Sequence, residues 1–244
     1  MITATTELLA IIGLPIGLTR SPTHFNRWFQ EAGLDKVMVA VELEPEGLEA
    51  FLASARAMRN LRGFIVTMPY KAEVAARCDA LSPRAAAIGA VNAVRREPDG
   101  RLVGDMVDGL GFLSAARRHG VEMAGLRAAM VGAGGVGSAI AEAVCGAGAA
   151  ELAVSDADPA RARALIAMLR ERHPGVRVSE GLPAAEDRDV FVNATPVGMG
   201  GEAAMVVEAA WLDRLPRHAL VADVVTSPAV TPMLAHAYAR GCRI

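Results

Sequence analysis

Apolar positions recur along this chain in two rhythms: short continuous runs of strand length, and longer stretches with apolar residues three and four apart. The first run, Leu8 to Gly13, reads as a strand and leads into Leu14-Pro-Ile-Gly-Leu-Thr-Arg-Ser-Pro. There Ser21 before Pro22 predicts a helix start, a hydroxyl cap with proline in the first turn, and the helix runs to about Gly33. Lys36 to Leu43 predicts a second strand. Glu46 to Arg59 predicts a helix with Leu48, Phe51, Leu52 and Ala55 on one face, and Leu61 to Thr67 a third strand. This βαβαβ alternation implies a mostly parallel sheet with helices on both faces.

Further along, Thr67-Met-Pro-Tyr-Lys turns from strand into a short helix, and Ser82-Pro83 starts another. Gly89-Ala-Val-Asn-Ala-Val enters a hairpin that turns at Pro98-Asp-Gly100 and returns through Arg101 to Gly104. After Asp108-Gly-Leu-Gly a helix to about His119 leads into a second domain. That domain holds the run Ala128 to Val131, a helix from Pro159 to Arg172 with a solvated Ala/Arg face, and strands at Val176-Arg-Val, Val190-Phe-Val-Asn and Leu220 to Val224. A last helix begins at Thr231-Pro232.

The centre of the pattern is Gly132-Ala-Gly-Gly-Val-Gly137, which follows one apolar run and opens a helix carrying Val136, Ile140, Ala143, Val144 and Ala147 at helical spacing. A G-x-G-x-x-G between strand and helix binds a dinucleotide. Gly132 makes the tight turn, Gly134 lets backbone N–H groups near a pyrophosphate, and Gly137 lets helix and strand pack closely. The helix N-terminus at Gly135 and Val136 then faces the phosphates. Asp156 ends the next run, about 20 residues on, where a carboxylate takes ribose hydroxyls and repels a 2′-phosphate. NAD is therefore expected in preference to NADP.

Composition narrows the class. The 244 residues are 52% apolar but 4% aromatic, with 24 glycines, which suits helices packed closely on a sheet. A net charge of −2 offers no basic face for nucleic acid or an acidic membrane. Cys78, Cys145 and Cys242 are odd in number and lack metal-ligand spacing, so they read as reduced thiols in a cytoplasmic protein with no metal. Leu8 to Leu14 is too short to span a bilayer and has no basic residue before it, so no targeting segment is expected.

Two ionisable residues stand out in the first half, Lys71 just after the third strand and Asp108 where the chain crosses to the nucleotide motif. Taken alone, the first reads as a solvated surface lysine and the second as a helix cap. With Ser21-Pro22, Gly63 to Lys71, Ile88 to Asn92, Gly104 to Phe112, the glycine turn, Asn193-Ala-Thr-Pro-Val-Gly-Met199 and Asp223 through Pro232, the chain resembles the shikimate/quinate dehydrogenase family, collinearly and over nearly its full length.

The resemblance implies reversible hydride transfer between a nicotinamide and a ring hydroxyl of a shikimate- or quinate-like hydroxy acid. It implies Lys71 and Asp108 as the catalytic pair, Thr19 and Ser21 as a carboxylate clamp, and Thr67 and Asn92 as holders of substrate hydroxyls. Asn193, Thr195 and Pro196 would line the cofactor cleft with Gly132, Gly134, Gly135, Val136, Gly137 and Asp156. Where NADP-using members carry Asn-Arg-Thr, this chain has Asp156-Ala157-Asp158, which again points to NAD.

Departures cluster where substrate would sit. Ile65, Ala93, Met106 and Val107 replace hydrogen-bonding residues, Thr226 a tyrosine and Phe25 a histidine, and the sequence ends at Ile244, ahead of the family's closing Met-Leu and glutamine-bearing helix. Two α/β domains are expected. The first is an αβα substrate domain over residues 1–108, rejoined by the helix at 232–244, and the second a Rossmann-type NAD(P)-binding domain over 109–231. The partner is a small hydroxy acid, and the protein is a monomer or homodimer. The competing reading is a catalytically weak NAD-binding relative that acts as a sensor or assembly subunit.

Overall fold

The computed structural model describes residues 2–17 and 19–244; Leu18, in the run before the Ser21 helix, lies outside them. The chain divides into two compact units, residues 1–107 and 108–244.

The first unit holds, in order, β1 (Glu7–Gly13), α1 (Ser21–Glu31), β2 (Lys36–Glu42), α2 (Leu48–Ala57), β3 (Leu61–Val66), α3 (Lys71–Ala75), β4 (Ala80–Leu81), α4 (Pro83–Ile88), β5 (Ala93–Arg96) and β6 (Leu102–Asp105). The strands join in the order β2-β1-β3-β5-β6-β4. β2, β1 and β3 are parallel, as a βαβαβ run requires, while β5 lies antiparallel between β3 and β6 as the expected hairpin. Its turn closes at Gly100, whose φ of +91° a side chain would strain. Ile11, Ile12, Phe29, Met38, Leu52, Phe64 and Leu102 are buried in this unit. The cap at Ser21 differs from expectation: Arg20 precedes the helix with helical backbone angles, and no side chain caps α1. Ser82 does cap α4, its hydroxyl accepting from the Ala85 amide at 3.2 Å.

The second unit holds α5 (Asp108–Arg118), β7 (Arg127–Val131), α6 (Gly135–Gly146), β8 (Glu151–Ser155), α7 (Pro159–Arg172), β9 (Arg177–Glu180), β10 (Val190–Asn193), α8 (Ala209–Leu212), β11 (Leu220–Asp223) and α9 (Pro232–Ala239). Its strands lie in the order β11-β10-β7-β8-β9, every pair parallel. Such a sheet buries both faces, which is why its strands are short apolar runs. Leu152 and Val154 enter a core with Ile140, Val144 and Leu165, whereas Ala153 and Phe191 point into the opposite core with Leu212, Val221 and Met233.

α7 is solvated on one side only, because Ala162, Leu165, Ile166 and Leu169 recur at helical spacing and are buried. The C-terminal helix is a second difference. Expected to rejoin residues 1–108, α9 packs on β11 and α8 through Met233, Leu234 and Ala237, and the Arg243 amide donates to the Ala219 carbonyl. By its contacts it counts with the second unit.

Candidate functional site

In the first unit the predicted residues gather beyond the C-terminal ends of β1 and β3. The Thr67 amide donates to Ile12 at 2.9 Å and its carbonyl accepts from Tyr70 at 3.1 Å, so the chain turns sharply before α3. Tyr70 is fully buried with its hydroxyl on the Leu43 carbonyl, which anchors the start of the helix that Lys71 begins. The Lys71 carbonyl accepts from the Val91 amide at 3.0 Å.

Asn92, 7% exposed, is held on both sides: its carbonyl accepts from Val66 at 2.8 Å and its amide donates to Asp105 at 3.0 Å. Its side-chain oxygen accepts from the amide of Val107, the residue before Asp108, at 2.8 Å. Asp108 opens α5 and is half-buried. Thr19 is turned inward on its own loop, its hydroxyl donating to the Ile16 carbonyl at 2.9 Å, and Ser21 is half-buried at the start of α1. Of the apolar replacements, Ile65 and Ala93 are partly exposed and Val107 is 38% exposed, but Met106 is 1% exposed and belongs to the core.

In the second unit the glycine turn fits a dinucleotide. Gly132 has φ of +107°, and a Cβ there would lie 2.6 Å from the Ala194 carbonyl oxygen; one on Gly137 would lie 2.0 Å from the Gly132 carbonyl oxygen. Gly134 has open space around it and precedes α6 with no side-chain cap, so the first-turn amides of Gly135, Val136 and Gly137 are left for a phosphate.

The loop after β10 is fixed from within. Asn193, 1% exposed, donates to the Val197 carbonyl at 3.1 Å and to Asp223 at 3.0 Å, and accepts from the Thr195 amide and hydroxyl at 3.0 and 2.7 Å. Its amide is thereby fully used, so whatever it does for a cofactor it does by holding Thr195 and the exposed Pro196 in place. Asp223 also accepts from the Val225 amide and the Thr231 hydroxyl. Sequence reasoning gave Asp223 no role. The signal was present, since two apolar strands end in Asn193 and Asp223, which the sheet brings into register. Among the described residues no His, Cys, Asp and Glu group could hold a metal, and no helix is long and apolar enough to cross a membrane.

Residues 11–94 match a family profile described as the shikimate dehydrogenase substrate binding domain. The chain is 38% identical over 248 residues to shikimate dehydrogenase (NADP(+)) of Rhodospirillum rubrum, covering 99% of this chain and 86% of the relative. It is similar to two solved structures. One is shikimate 5-dehydrogenase from Listeria monocytogenes in complex with shikimate and NAD, 32% identical with a TM-score of 0.89 over 99% of this chain and 86% of that one. The other is the Thermus thermophilus enzyme in complex with NADP(H) and shikimate, 32% identical with a TM-score of 0.85 over 98% and 86%.

These relatives correct the expectation of NAD in preference to NADP, because the curated proteins are named for NADP(+). One Asp156 oxygen accepts from the Ala133 amide at 2.6 Å and the other from the Asp158 amide at 2.8 Å, so the acid ties the glycine turn to the end of β8. Burial pushes its carboxyl up, but these two bonds and the charge of the exposed Arg161 outweigh that and hold it below the usual carboxylate range. Arg161 lies in the first turn of α7 and is exposed. By sequence identity across nearly its whole length, and by the structures it matches, the chain belongs to the shikimate dehydrogenase family of oxidoreductases.

Proposed function

We propose that this protein interconverts a ring hydroxyl of a shikimate- or quinate-like hydroxy acid and the corresponding ketone, with NADP+ as acceptor. Residues 1–107 hold the acid, and the unit at 108–244 holds the dinucleotide on the Gly132–Gly137 turn. The bound nicotinamide supplies the hydride acceptor. The hydroxyl proton must leave as the C–H bond breaks, and Lys71 with Asp108 positions that hydroxyl and carries its proton away. Thr19 and Ser21 clamp the carboxylate, while Thr67 and Asn92 hold ring hydroxyls.

The observation that supports this reading is the pair of bonds that tie Val91 to Lys71 and Asn92 to Val107, since they fix the start of α3 and the residue before Asp108 to neighbouring positions of one strand entry. The curated relatives are named as dehydrogenases, which favours an enzyme over a binding-only sensor. In a fluorescence assay of NADPH formation, Lys71→Ala and Asp108→Asn should each lower kcat by about 10²- to 10⁴-fold. NADP+ binding should be unchanged. Variants that retain activity within a few-fold of the parent would refute the pair.

A further inference from the structure

Only Met106 and Val107 separate the end of β6 from Asp108 at the start of α5. Where Asp108 begins is therefore set by how that link is held. Both polar atoms of its central peptide unit are taken by side chains from elsewhere. The Arg84 Nε–H donates to the Met106 carbonyl at 2.9 Å, and the Asn92 side-chain oxygen accepts from the Val107 amide at 2.8 Å. Two bonds on opposite edges of one planar unit fix its orientation, which either bond alone would leave free to turn. The same guanidinium also donates through Nη2 to the Asp105 carboxylate, whose other oxygen accepts from the Met106 amide at 2.7 Å and from the Ser82 hydroxyl. Arg84 thus bridges a carbonyl and a carboxylate with one planar fork, a geometry that the point charge of a lysine does not reproduce.

Arg84 and Asn92 stand near the two ends of one segment. Ser82 caps α4, Arg84 lies in its first turn, and the neighbouring Ala85 is fully buried, so the arginine departs from a fixed point. Gly89 ends α4 with a φ of +69°, and two residues later the Val91 amide donates to the Lys71 carbonyl. Residues 82–92 therefore hold Lys71 through Val91, and the link to Asp108 through Asn92 and Arg84. Asn92 is assigned above to ring hydroxyls. Arg84 has no such role, and its guanidinium is engaged by the link.

We propose that Arg84 is a positioning residue for Asp108, holding the Met106–Val107 peptide so that the carboxylate starts from the place where the substrate hydroxyl gives up its proton. This rests on the dehydrogenase reading above and deepens it. A displacement of about 1 Å at such a group costs on the order of a hundredfold in rate, so loss of the clamp is read in kcat.

The test measures kcat with shikimate and with quinate, and Kd for NADP+, on the full chain and on Arg84→Lys and Arg84→Ala, each also in an Asp108→Asn background. Arg84→Lys keeps the charge beside Asp105 at a half-buried position, so it reports on the clamp even where the alanine variant does not fold. Both substitutions should lower kcat by about ten- to a hundredfold and leave Kd for NADP+ within about twofold. In the Asp108→Asn background the same substitutions should change kcat by less than about threefold, because the group they position no longer carries a proton. Losses that multiply fully in the double variants, or a kcat within about threefold of the parent in either single variant, overturn the proposal and leave the dehydrogenase reading standing. Turnover of neither acid by the parent overturns that reading and the proposal with it.

Discussion

At Gly137 a single methyl group separates a working turn from a broken one. The atom it would strike at 2.0 Å is the Gly132 carbonyl oxygen, which is backbone and cannot swing aside. Gly137→Ala should therefore lower stability in chemical denaturation by about 1–3 kcal/mol. Gly134 provides the control: nothing lies within 4 Å and its φ is −73°, so alanine fits there. Gly134→Ala should leave the melting temperature within about 2 °C of the parent. It should still weaken NADP+ by about tenfold or more, because the added methyl occupies the approach to the first-turn amides. Unchanged affinity would remove Gly134 from the cofactor site. The spacing of these glycines was legible in the sequence because backbone freedom belongs to the residue itself. The role of Asp156 was not, because its amide partners Ala133 and Asp158 meet it only once β7 and β8 are in register.

Among the elements, the same local pattern, a hydroxyl residue before proline, occurs at Ser21, Ser82 and Thr231 with different outcomes. Ser82 and Thr231 have extended backbone and cap their helices; Ser21 lies one residue inside a helix that Arg20 already leads, so its hydroxyl makes no cap. Sequence marks where a helix can start, and the approaching chain decides which residue starts it. Thr231 is also bound tertiarily. At 1% exposure its hydroxyl accepts from the Leu234 amide at 3.4 Å and donates to Asp223 at 2.8 Å. Thr231→Ala should cost about 1–3 kcal/mol, because it removes the cap and leaves a half-buried carboxylate oxygen of Asp223 short of a donor. Thr231→Ser should recover most of it, and both are read by urea denaturation. Loss of the Asp223 contact should also loosen the loop that Asn193 holds, visible as faster amide exchange at Thr195 and Val197.

For the molecule as a whole, four carboxylates among the described residues are held below their usual range, Asp79, Asp99 and Asp105 in the first unit and Asp156 in the second. The Leu102 amide and then Arg56 lower Asp79. Burial pushes Asp105 up, but Ser82, Arg84 and the Met106 amide outweigh it. Asp156 follows the same balance with Ala133, Asp158 and Arg161. A depressed carboxyl adds stability above its unfolded value, about 3.9, and loses it as pH falls through the folded one. The melting temperature should therefore decline below about pH 4, and Asp79→Asn, Asp105→Asn and Asp156→Asn should each flatten that decline. A decline unchanged in all three would assign it to other groups.

At this scale the sequence by itself determined the two α/β units, the strand and helix rhythm, the glycine turn and the family, because periodicity and backbone freedom are written into neighbouring residues. It could not tell that Met106 enters the core while Val107 faces out, since alternate residues of a strand end take opposite faces and only the packed sheet says which is covered. Nor could it tell that α9 settles on β11, or that Asn193 is spent on its own loop. Those were decided by tertiary structure, because each depends on partners that are distant along the chain or on which faces of a helix or sheet are covered.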